Sequence, residues 1–234
     1  MSDRRVIVVT GARKGLGRAL AEHLLADGWA VAGISRGSSD LSDVNYAGFE
    51  ADVADEAAMV RTFAAVAKRF GRIDALVNNA GVAAMNHALL TTADGARRVF
   101  ETNTIGTFIA SREAAKHMRR QRAGRIVNLS TVAVPLAVAG EAVYAASKAA
   151  VESLTRVLAR EFAPLGVTCN AVGPTPVDTD LIRGVGREKI KALLAQQALQ
   201  RMGEVRDVVN AVEFFLRPES DFVTGQVIYL GGVW

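Results

Sequence analysis

The sequence predicts an α/β fold in which one doubly wound parallel sheet of about seven strands carries helices on both faces. Short apolar runs alternate with longer amphipathic stretches along the 234 residues, in a repeating order of strand, helix, strand. The short runs are apolar on both of their faces, as expected for strands buried between two layers of helices. No linker, repeat or low-complexity segment divides the sequence, so we expect a single domain over residues 1–234.

The strands are predicted from the apolar runs, and the helices from apolar residues that recur at three- and four-residue spacing. The predicted strands are residues 6–10, 30–35, 46–51, 73–78, 125–129, 167–171 and 226–230. The predicted helices are residues 17–27, 56–70, 97–120 and 144–162, with a further charged, helix-like stretch at 187–197.

Composition narrows the classes of protein to which the chain can belong. No apolar run approaches the roughly 18 residues that span a bilayer, and no signal-peptide pattern is visible. The single cysteine, Cys169, lies in a predicted strand and cannot form an internal disulfide, which favours a reducing cytoplasm. The net charge is +4, yet the basic residues are scattered apart from four arginines at 119–125, interpreted as a solvated helix end. We therefore expect no membrane, nucleic-acid or metal partner, while an acidic protein that docks on these arginines stays possible.

A glycine-rich turn connects the first strand to the first helix. It comprises Thr10, Gly11, Arg13, Lys14, Gly15, Leu16 and Gly17, with Ala12 between. Glycines allow the backbone to turn sharply and to approach a pyrophosphate without an intervening Cβ, and the helix N-terminus adds free N–H groups and a positive dipole. This turn predicts a dinucleotide site.

The end of the second strand indicates which dinucleotide binds. Ser35 stands where sites that prefer NAD carry an acidic residue, and Arg36 follows it. An arginine suits the 2′-phosphate of NADP, and Lys14 or Arg13 lies in position to reach the same group. The sequence therefore predicts NADP(H). Asp52 and Val53, after the third strand, are expected near the adenine, with a helix N-cap as the alternative role of Asp52.

Tyr144 and Lys148 are the candidate proton-transfer pair. They lie four residues apart in a predicted helix, so their side chains share one face. A phenol is a poor acid at neutral pH, and a neighbouring ammonium together with a positive nicotinamide ring is expected to lower its pKa. Tyr144 is thus predicted to protonate the oxygen of a ketone as hydride arrives from NADPH.

Five segments resemble the short-chain dehydrogenase/reductase family in their order and spacing, over essentially the whole chain. They are the turn Thr10-Gly11-x-x-x-Gly15-x-Gly17, the segment Asn78-Asn79-Ala80-Gly81, Asn103, the segment Tyr144-Ala145-Ala146-Ser147-Lys148, and residues 174–179. The resemblance implies a Rossmann-type fold and an oxidoreductase that acts on CH–OH or C=O groups.

The resemblance also implies roles for single residues. Asn103 matches an asparagine that holds a water against the catalytic lysine. Asn79, Ala80 and Gly81 match a turn that stabilises the sheet and lines the cofactor, and Pro174, Val177 and Thr179 match cofactor contacts. The family places a serine that polarises the substrate oxygen thirteen residues before the tyrosine; counting back from Tyr144 reaches Thr131, and Ser130 is the alternative.

The pattern is most similar to β-ketoacyl (acyl-carrier-protein) reductases, which implies a 3-oxoacyl thioester as substrate. Arg122 matches one carrier-docking position of that branch, but Leu165 replaces a second base. A sugar, a polyol or a small diketone stays open as substrate, as does a non-catalytic NADP sensor. The resemblance further implies a homotetramer or homodimer, and we expect residues 180–203 to form a lid over the substrate.

Overall fold

The computed structural model describes residues 4–83, 85–178 and 186–234. They form a parallel sheet of seven strands in the order β3-β2-β1-β4-β5-β6-β7, which confirms the predicted fold. The strands are β1 (Val6–Thr10), β2 (Ala30–Ser35), β3 (Tyr46–Glu50), β4 (Ala75–Asn78), β5 (Gly124–Leu129), β6 (Val167–Gly173) and β7 (Val227–Tyr229). The helices are α1 (Gly15–Ala26), α2 (Glu56–Phe70), α3 (Ala93–Phe100), α4 (Gly106–Gln121), α5 (Ala142–Phe162), α6 (Arg187–Leu194) and α7 (Val205–Leu216).

Helices cover both faces of the sheet with apolar side chains. On one face, α1 and α7 pack Leu20, Leu24 and Phe215 against the inner strands. On the other face, α2, α4 and α5 bury Phe63 and Met118, among others. Burial of strands on both sides explains why their sequence runs are apolar rather than alternating.

The strand order reverses between β1 and β4, and this reversal determines where a ligand can bind. The chain leaves β1 towards β2 on one side and returns to β4 on the other. The loops that follow these two strands therefore separate and leave a crevice beyond the carboxyl ends of the strands. The predicted glycine turn and the Asn79 segment both lie at this edge.

The prediction of a single helix over residues 97–120 is wrong. The structure has α3, a π-helical turn at Glu101–Ile105 and α4 in its place. The turn contains the fully buried Asn103, whose carbonyl accepts the Thr107 hydroxyl at 2.7 Å. Directly after it, a Cβ on Gly106 would lie 2.7 Å from Val53 Cγ2, so the helix approaches the β3–α2 loop closely. A π turn widens the helix locally, and such turns frequently occur at functional sites.

Other boundaries move by a few residues. The fourth strand begins at Ala75. Directly before it, Asp74 forms an ion pair with Arg72 and its carboxylate accepts the Val6 N–H. The sixth strand continues to Gly173. Within the described part of the chain, no helix is long and apolar enough to cross a membrane. Of the predicted lid, residues 180–185 lie outside the described residues, and the remainder contains α6.

Candidate active site

A cavity of about 650 Å³ occupies the crevice at the carboxyl ends of the strands. Most of the residues singled out from the sequence line it. On the nucleotide side these are Gly11, Arg13, Lys14, Gly15, Leu16, Gly17, Ser35, Arg36, Asp52, Val53, Asn79, Ala80 and Gly81. On the reaction side they are Ser130, Thr131, Tyr144, Lys148, Pro174 and Val177. Thr10 and Asn103 lie behind the wall, and Thr179 lies outside the described residues.

The glycine turn brings two backbone segments too close for side chains. Gly11 and Gly15 have φ angles of +70° and +57°, where residues with a Cβ are strained. A Cβ on Gly17 would lie 2.3 Å from the Gly11 carbonyl oxygen. The first turn of α1 therefore faces the cavity directly with its backbone, as an anion-binding helix N-terminus requires.

The nucleotide end of the cavity is basic. The Arg13 backbone N–H donates to Ser35 Oγ at 3.0 Å, which connects the glycine turn to the end of β2. Arg13, Lys14 and Arg36 all line the cavity there, and Arg36 is exposed. Because Ser35 is neutral, no carboxylate at this position opposes a phosphate dianion.

Asp52 is not the N-cap of the following helix. Its carboxylate accepts the Ala54 N–H at 3.0 Å within the loop, whereas Asp55 caps α2 by accepting the Ala58 N–H at 2.9 Å. The loop between β3 and α2 covers residues 51–55, and Asp52 lies in the cavity wall.

Thr10 and Asn79 fasten β1 to the turn after β4. The Thr10 hydroxyl accepts the backbone N–H groups of Asn79 and Ala80 at 3.1 and 3.0 Å. The Asn79 side chain donates to the carbonyls of Thr10 and Gly11 at 2.9 and 3.3 Å. Thr10 is thereby fully engaged in holding the two loops together, and it is 1% exposed.

Lys148 and Asn103 form a buried polar group behind Gly81. Lys148 Nζ donates to the Leu129 carbonyl at 2.6 Å. Asn103 donates to the Val82 carbonyl at 2.9 Å and to Ser147 Oγ at 3.0 Å, and accepts the Val82 N–H at 2.8 Å. The π turn places Asn103 there, since these bonds need its side chain on the inner side of the helix.

The two neighbouring hydroxyl residues after β5 both line the cavity but have different partners. The Thr131 hydroxyl accepts the Ala133 N–H at 3.2 Å and lies near enough to Tyr144 to lower the pKa of the phenol. The Ser130 hydroxyl donates instead to Glu152 Oε1 at 2.5 Å. Of the two, Thr131 is thus the residue that presents its hydroxyl to Tyr144.

Burial shifts both members of the proton-transfer pair towards their neutral forms. Desolvation, assisted by the nearby Glu141 carboxylate, raises the pKa of Tyr144 to about 12, and the Thr131 hydrogen bond opposes this rise. Desolvation lowers the pKa of Lys148 to about 8. The expectation that the Lys148 ammonium and a bound nicotinamide ring together lower the pKa of the phenol stays a prediction, because the raised pKa is that of the protein groups alone. Among these groups burial dominates at Tyr144, while the Lys148 ammonium is bonded to the Leu129 carbonyl.

Three polar residues near this site, Glu141, Glu152 and Tyr229, were not predicted from the sequence. Glu141 begins the turn of α5 before Tyr144, and its own pKa is raised by burial. The buried Glu152 accepts the hydroxyl of the half-buried Tyr229 at 2.7 Å and the hydroxyl of Ser130 at 2.5 Å. Glu152 follows Lys148 by four residues, so helical spacing alone places it on the same face and offered a signal. Tyr229 offered none, because it lies on the last strand.

The sequence and the structure both match known proteins. A family model described as enoyl-(acyl-carrier-protein) reductase matches residues 11–232. The 3-oxoacyl-(acyl-carrier-protein) reductase of Salmonella typhimurium is 33% identical over 98% of this chain and 97% of its own length.

Two solved structures are similar over nearly the whole chain. The ligand-free aldohexose dehydrogenase of Thermoplasma acidophilum has a TM-score of 0.89 and 32% identity, and covers 98% of this chain and 93% of its own. A tyrosine-to-phenylalanine variant of ElxO with NADPH bound has a TM-score of 0.88 and 28% identity, and covers 97% of this chain and 96% of its own.

Proposed function

Because this chain belongs to the short-chain dehydrogenase/reductase family of oxidoreductases that act on CH–OH and C=O groups, we propose that it reduces a ketone to a secondary alcohol with NADPH. The observation that carries the proposal is the meeting of Thr131, Tyr144 and Lys148 at one end of a cavity whose other end is basic.

The cavity fits a nicotinamide dinucleotide phosphate. The glycine turn lines the cavity with its backbone, α1 begins there, and the turn is so closely packed that a Cβ at Gly17 would lie 2.3 Å from the Gly11 carbonyl oxygen. Arg13, Lys14 and Arg36 supply cations for a 2′-phosphate, and the similar ElxO structure is described as having NADPH bound. When bound, NADPH supplies the hydride. We propose that the carboxamide and its ring lie near Pro174 and Val177, which line the reaction side of the cavity.

Tyr144 is the proposed proton donor. Its raised pKa keeps the phenol protonated at neutral pH, so its O–H is available to the oxygen of a ketone. The Thr131 hydroxyl, which lines the cavity beside Tyr144, is proposed to polarise the same oxygen. Threonine keeps the hydrogen-bond donor of a serine but adds a stiff branched side chain that narrows the pocket.

Lys148 and Asn103 support the proton transfer. At neutral pH Lys148 is largely charged, because its pKa of about 8 lies above the surrounding pH. Its ammonium favours the phenolate that forms once Tyr144 has given up the proton. The bonds of Asn103 to Val82 and Ser147 fix the π turn behind the lysine, where we propose that a water connects the two side chains.

We propose a 3-oxoacyl thioester as substrate, with an aldohexose or another sugar, a polyol or a small diketone as the second class. The first is supported by the Salmonella relative, whose name states this activity, and by Arg122, which is exposed at the end of α4. The second is supported by the aldohexose dehydrogenase structure and by Leu165 in place of a second base. Residues 180–203 are the proposed lid over either substrate.

The protein is proposed to assemble into a homotetramer or homodimer. Large apolar side chains remain exposed on neighbouring helices: Phe100, Ile105 and Phe108 on the segment from α3 to α4, and Val157 on α5. The C-terminal Trp234 is 92% exposed. Burial of such a face against a second copy removes apolar surface from water.

The experiment that tests the function follows NADPH and NADH oxidation with β-ketoacyl thioesters, keto-sugars and diketones, for the wild type beside Tyr144→Phe. We expect turnover with NADPH, weak turnover with NADH, and a kcat about 1,000-fold lower in the variant because it lacks the proton donor. Unchanged NADPH binding by the variant would show that the loss is chemical. A variant that keeps a tenth of the kcat would refute Tyr144 as donor. Tight NADPH binding without reduction of any carbonyl would favour a sensor.

A further inference from the structure

A buried carboxylate binds the residue next to the proposed catalytic hydroxyl and takes no part in the chemistry described above. Glu152 is 4% exposed, and its two oxygens accept two hydroxyl groups from distant parts of the chain. Ser130 donates to Oε1 at 2.5 Å, and Tyr229 donates to Oε2 at 2.7 Å. Arg156, one helical turn further and more than half exposed, lies 3.9 Å from Oε2. A buried carboxylate needs such partners, because desolvation of an unpaired one is costly.

The segment that Glu152 holds is the one that carries the catalytic hydroxyl. After β5 ends, Ser130 and Val132 continue to bond β6, through the Val172 and Pro174 carbonyls at 2.7 and 3.0 Å. These two bonds hold the backbone on either side of Thr131, directly before the turn at residues 132–137. With the Ser130 hydroxyl bound to Glu152, the Thr131 hydroxyl is the one left to face Tyr144.

The sequence itself leaves this choice open. Ser130 and Thr131 are neighbours that both offer a hydroxyl, and a shift by one residue would exchange their positions relative to Glu152 and Tyr144. The two residues differ in what lies behind the segment: Glu152 offers a buried acceptor that one of these hydroxyls must satisfy. Because Glu152 is on the same helix as Tyr144 and Lys148, its position relative to the proton-transfer pair is fixed.

The geometry points to Glu152 as a positioning residue that, by binding Ser130, selects Thr131 as the hydroxyl presented to Tyr144 and the substrate. Tyr229 extends this arrangement to the last strand. Its ring covers Gly173, where a Cβ would lie 2.4 Å from Tyr229 Cδ1 and 3.4 Å from the Thr131 carbonyl carbon. The inference rests on the proposed function, since Thr131 has a catalytic role only if the chain reduces a carbonyl.

The test compares Glu152→Leu with Glu152→Gln. Leucine removes both acceptors, so we expect kcat to fall about tenfold or more while the Kd for NADPH stays within about twofold. Glutamine keeps the shape, accepts from Ser130 through its oxygen and donates to Tyr229 through its nitrogen; we expect its kcat to stay within about threefold of the wild type. A kcat of Glu152→Leu within threefold of the wild type would overturn the inference, as would an equal loss in both variants.

Glu113→Gln is the matched control. Glu113 is also a buried carboxylate on a helix, but it pairs with Arg112 and Lys116 and is absent from the cavity wall. We expect it to lower the melting temperature without changing kcat. If it lowers kcat as much as Glu152→Leu does, general loss of stability explains both effects and the positioning role fails.

Ser130→Ala removes the other end of the same bond and keeps the inference testable if Glu152→Leu does not fold. We expect a kcat loss similar to that of Glu152→Leu, and no further loss when the two are combined, because residues that act as one unit are not additive. Losses that add up would contradict the inference.

Amide hydrogen exchange over residues 129–134 separates the failure of this inference from the failure of the proposed function. Faster exchange there in Glu152→Leu, but not in Glu152→Gln or Glu113→Gln, is expected whether or not a substrate is found. Unchanged exchange would refute the positioning role, whereas a wild type inactive with every carbonyl would refute the proposed function alone.

Discussion

The two ends of the cavity are built in different ways. The nucleotide end is centred on one short stretch of chain, the glycine turn between β1 and α1, which is joined to the end of β2 by the Arg13–Ser35 bond and to the turn after β4 by the Thr10–Asn79 bonds. The reaction end combines Asn103 from a π turn, Thr131 from the end of β5, Tyr144 and Lys148 from α5, and Tyr229 from β7 at its back. The nucleotide end depends most on the backbone conformation of its glycines, and the reaction end depends most on side-chain hydrogen bonds between residues far apart in the chain.

Because of this difference, substitutions at the two ends should have different effects. At the nucleotide end an added side chain clashes with the backbone, which weakens cofactor binding. At the reaction end a substitution that removes one hydrogen-bond partner leaves the other buried group unsatisfied, which disturbs the geometry of proton transfer. Changes at the two ends should therefore separate into effects on the Kd for NADPH and effects on kcat.

Gly17→Ala should have the largest effect, and we expect this effect on the Kd for NADPH rather than on kcat. Its Cβ would lie 2.3 Å from the Gly11 carbonyl oxygen, so the turn must open. Overpacking of this kind costs up to about 3 kcal/mol, and we expect the Kd for NADPH, measured by fluorescence titration, to rise about 100-fold. Gly28→Ala is the control. With φ of +85° and nothing within 4 Å of the added atom, it should lower stability and leave NADPH binding unchanged. Equal binding by Gly17→Ala and the wild type would show that the glycine turn does not bind the cofactor.

Ser35→Asp should alter the choice of cofactor by a smaller amount. A carboxylate beside Arg13 and Arg36 repels the 2′-phosphate of NADPH and accepts the ribose hydroxyl of NADH. We expect the ratio of kcat/KM for NADPH to that for NADH to fall about 30-fold, measured by steady-state kinetics. Ser35→Ala, which adds no charge, should leave most of the preference in place. A strong preference for NADH in the wild type would contradict the role given to Arg36.

The pH dependence of kcat should show the smallest effect, at the reaction end. Burial lowers the pKa of Lys148 to about 8, so its ammonium loses the proton as pH rises through that value. Tyr144, with a pKa of about 12, stays protonated over the same range. We expect kcat for ketone reduction to fall about tenfold between pH 7 and pH 9. Lys148→Arg, which keeps its charge, should be slower yet flat over this range; a flat wild-type profile would show that the ammonium is not required.

Much of the fold followed from patterns that are short in sequence. The apolar runs predicted all seven strands to within a few residues, because burial on both faces of a parallel sheet leaves few polar positions. The interrupted helix at residues 93–121 was missed. Nothing in the periodicity of that stretch marks a π turn, which depends on the contacts of Asn103 and on the approach of Gly106 to Val53.

The sequence by itself determined the sheet, the glycine turn, and the pairing of Tyr144 with Lys148 on one helical face, since each depends on residues only a few positions apart. The tertiary structure decided that Asp55 rather than Asp52 caps α2, that burial raises the pKa of Tyr144, and that Thr131 rather than Ser130 faces the tyrosine. The physical reason is the same in each case. Burial and hydrogen-bond partners are set by residues far away in the chain, as Glu152 and Tyr229 are from Ser130, and no local pattern records them.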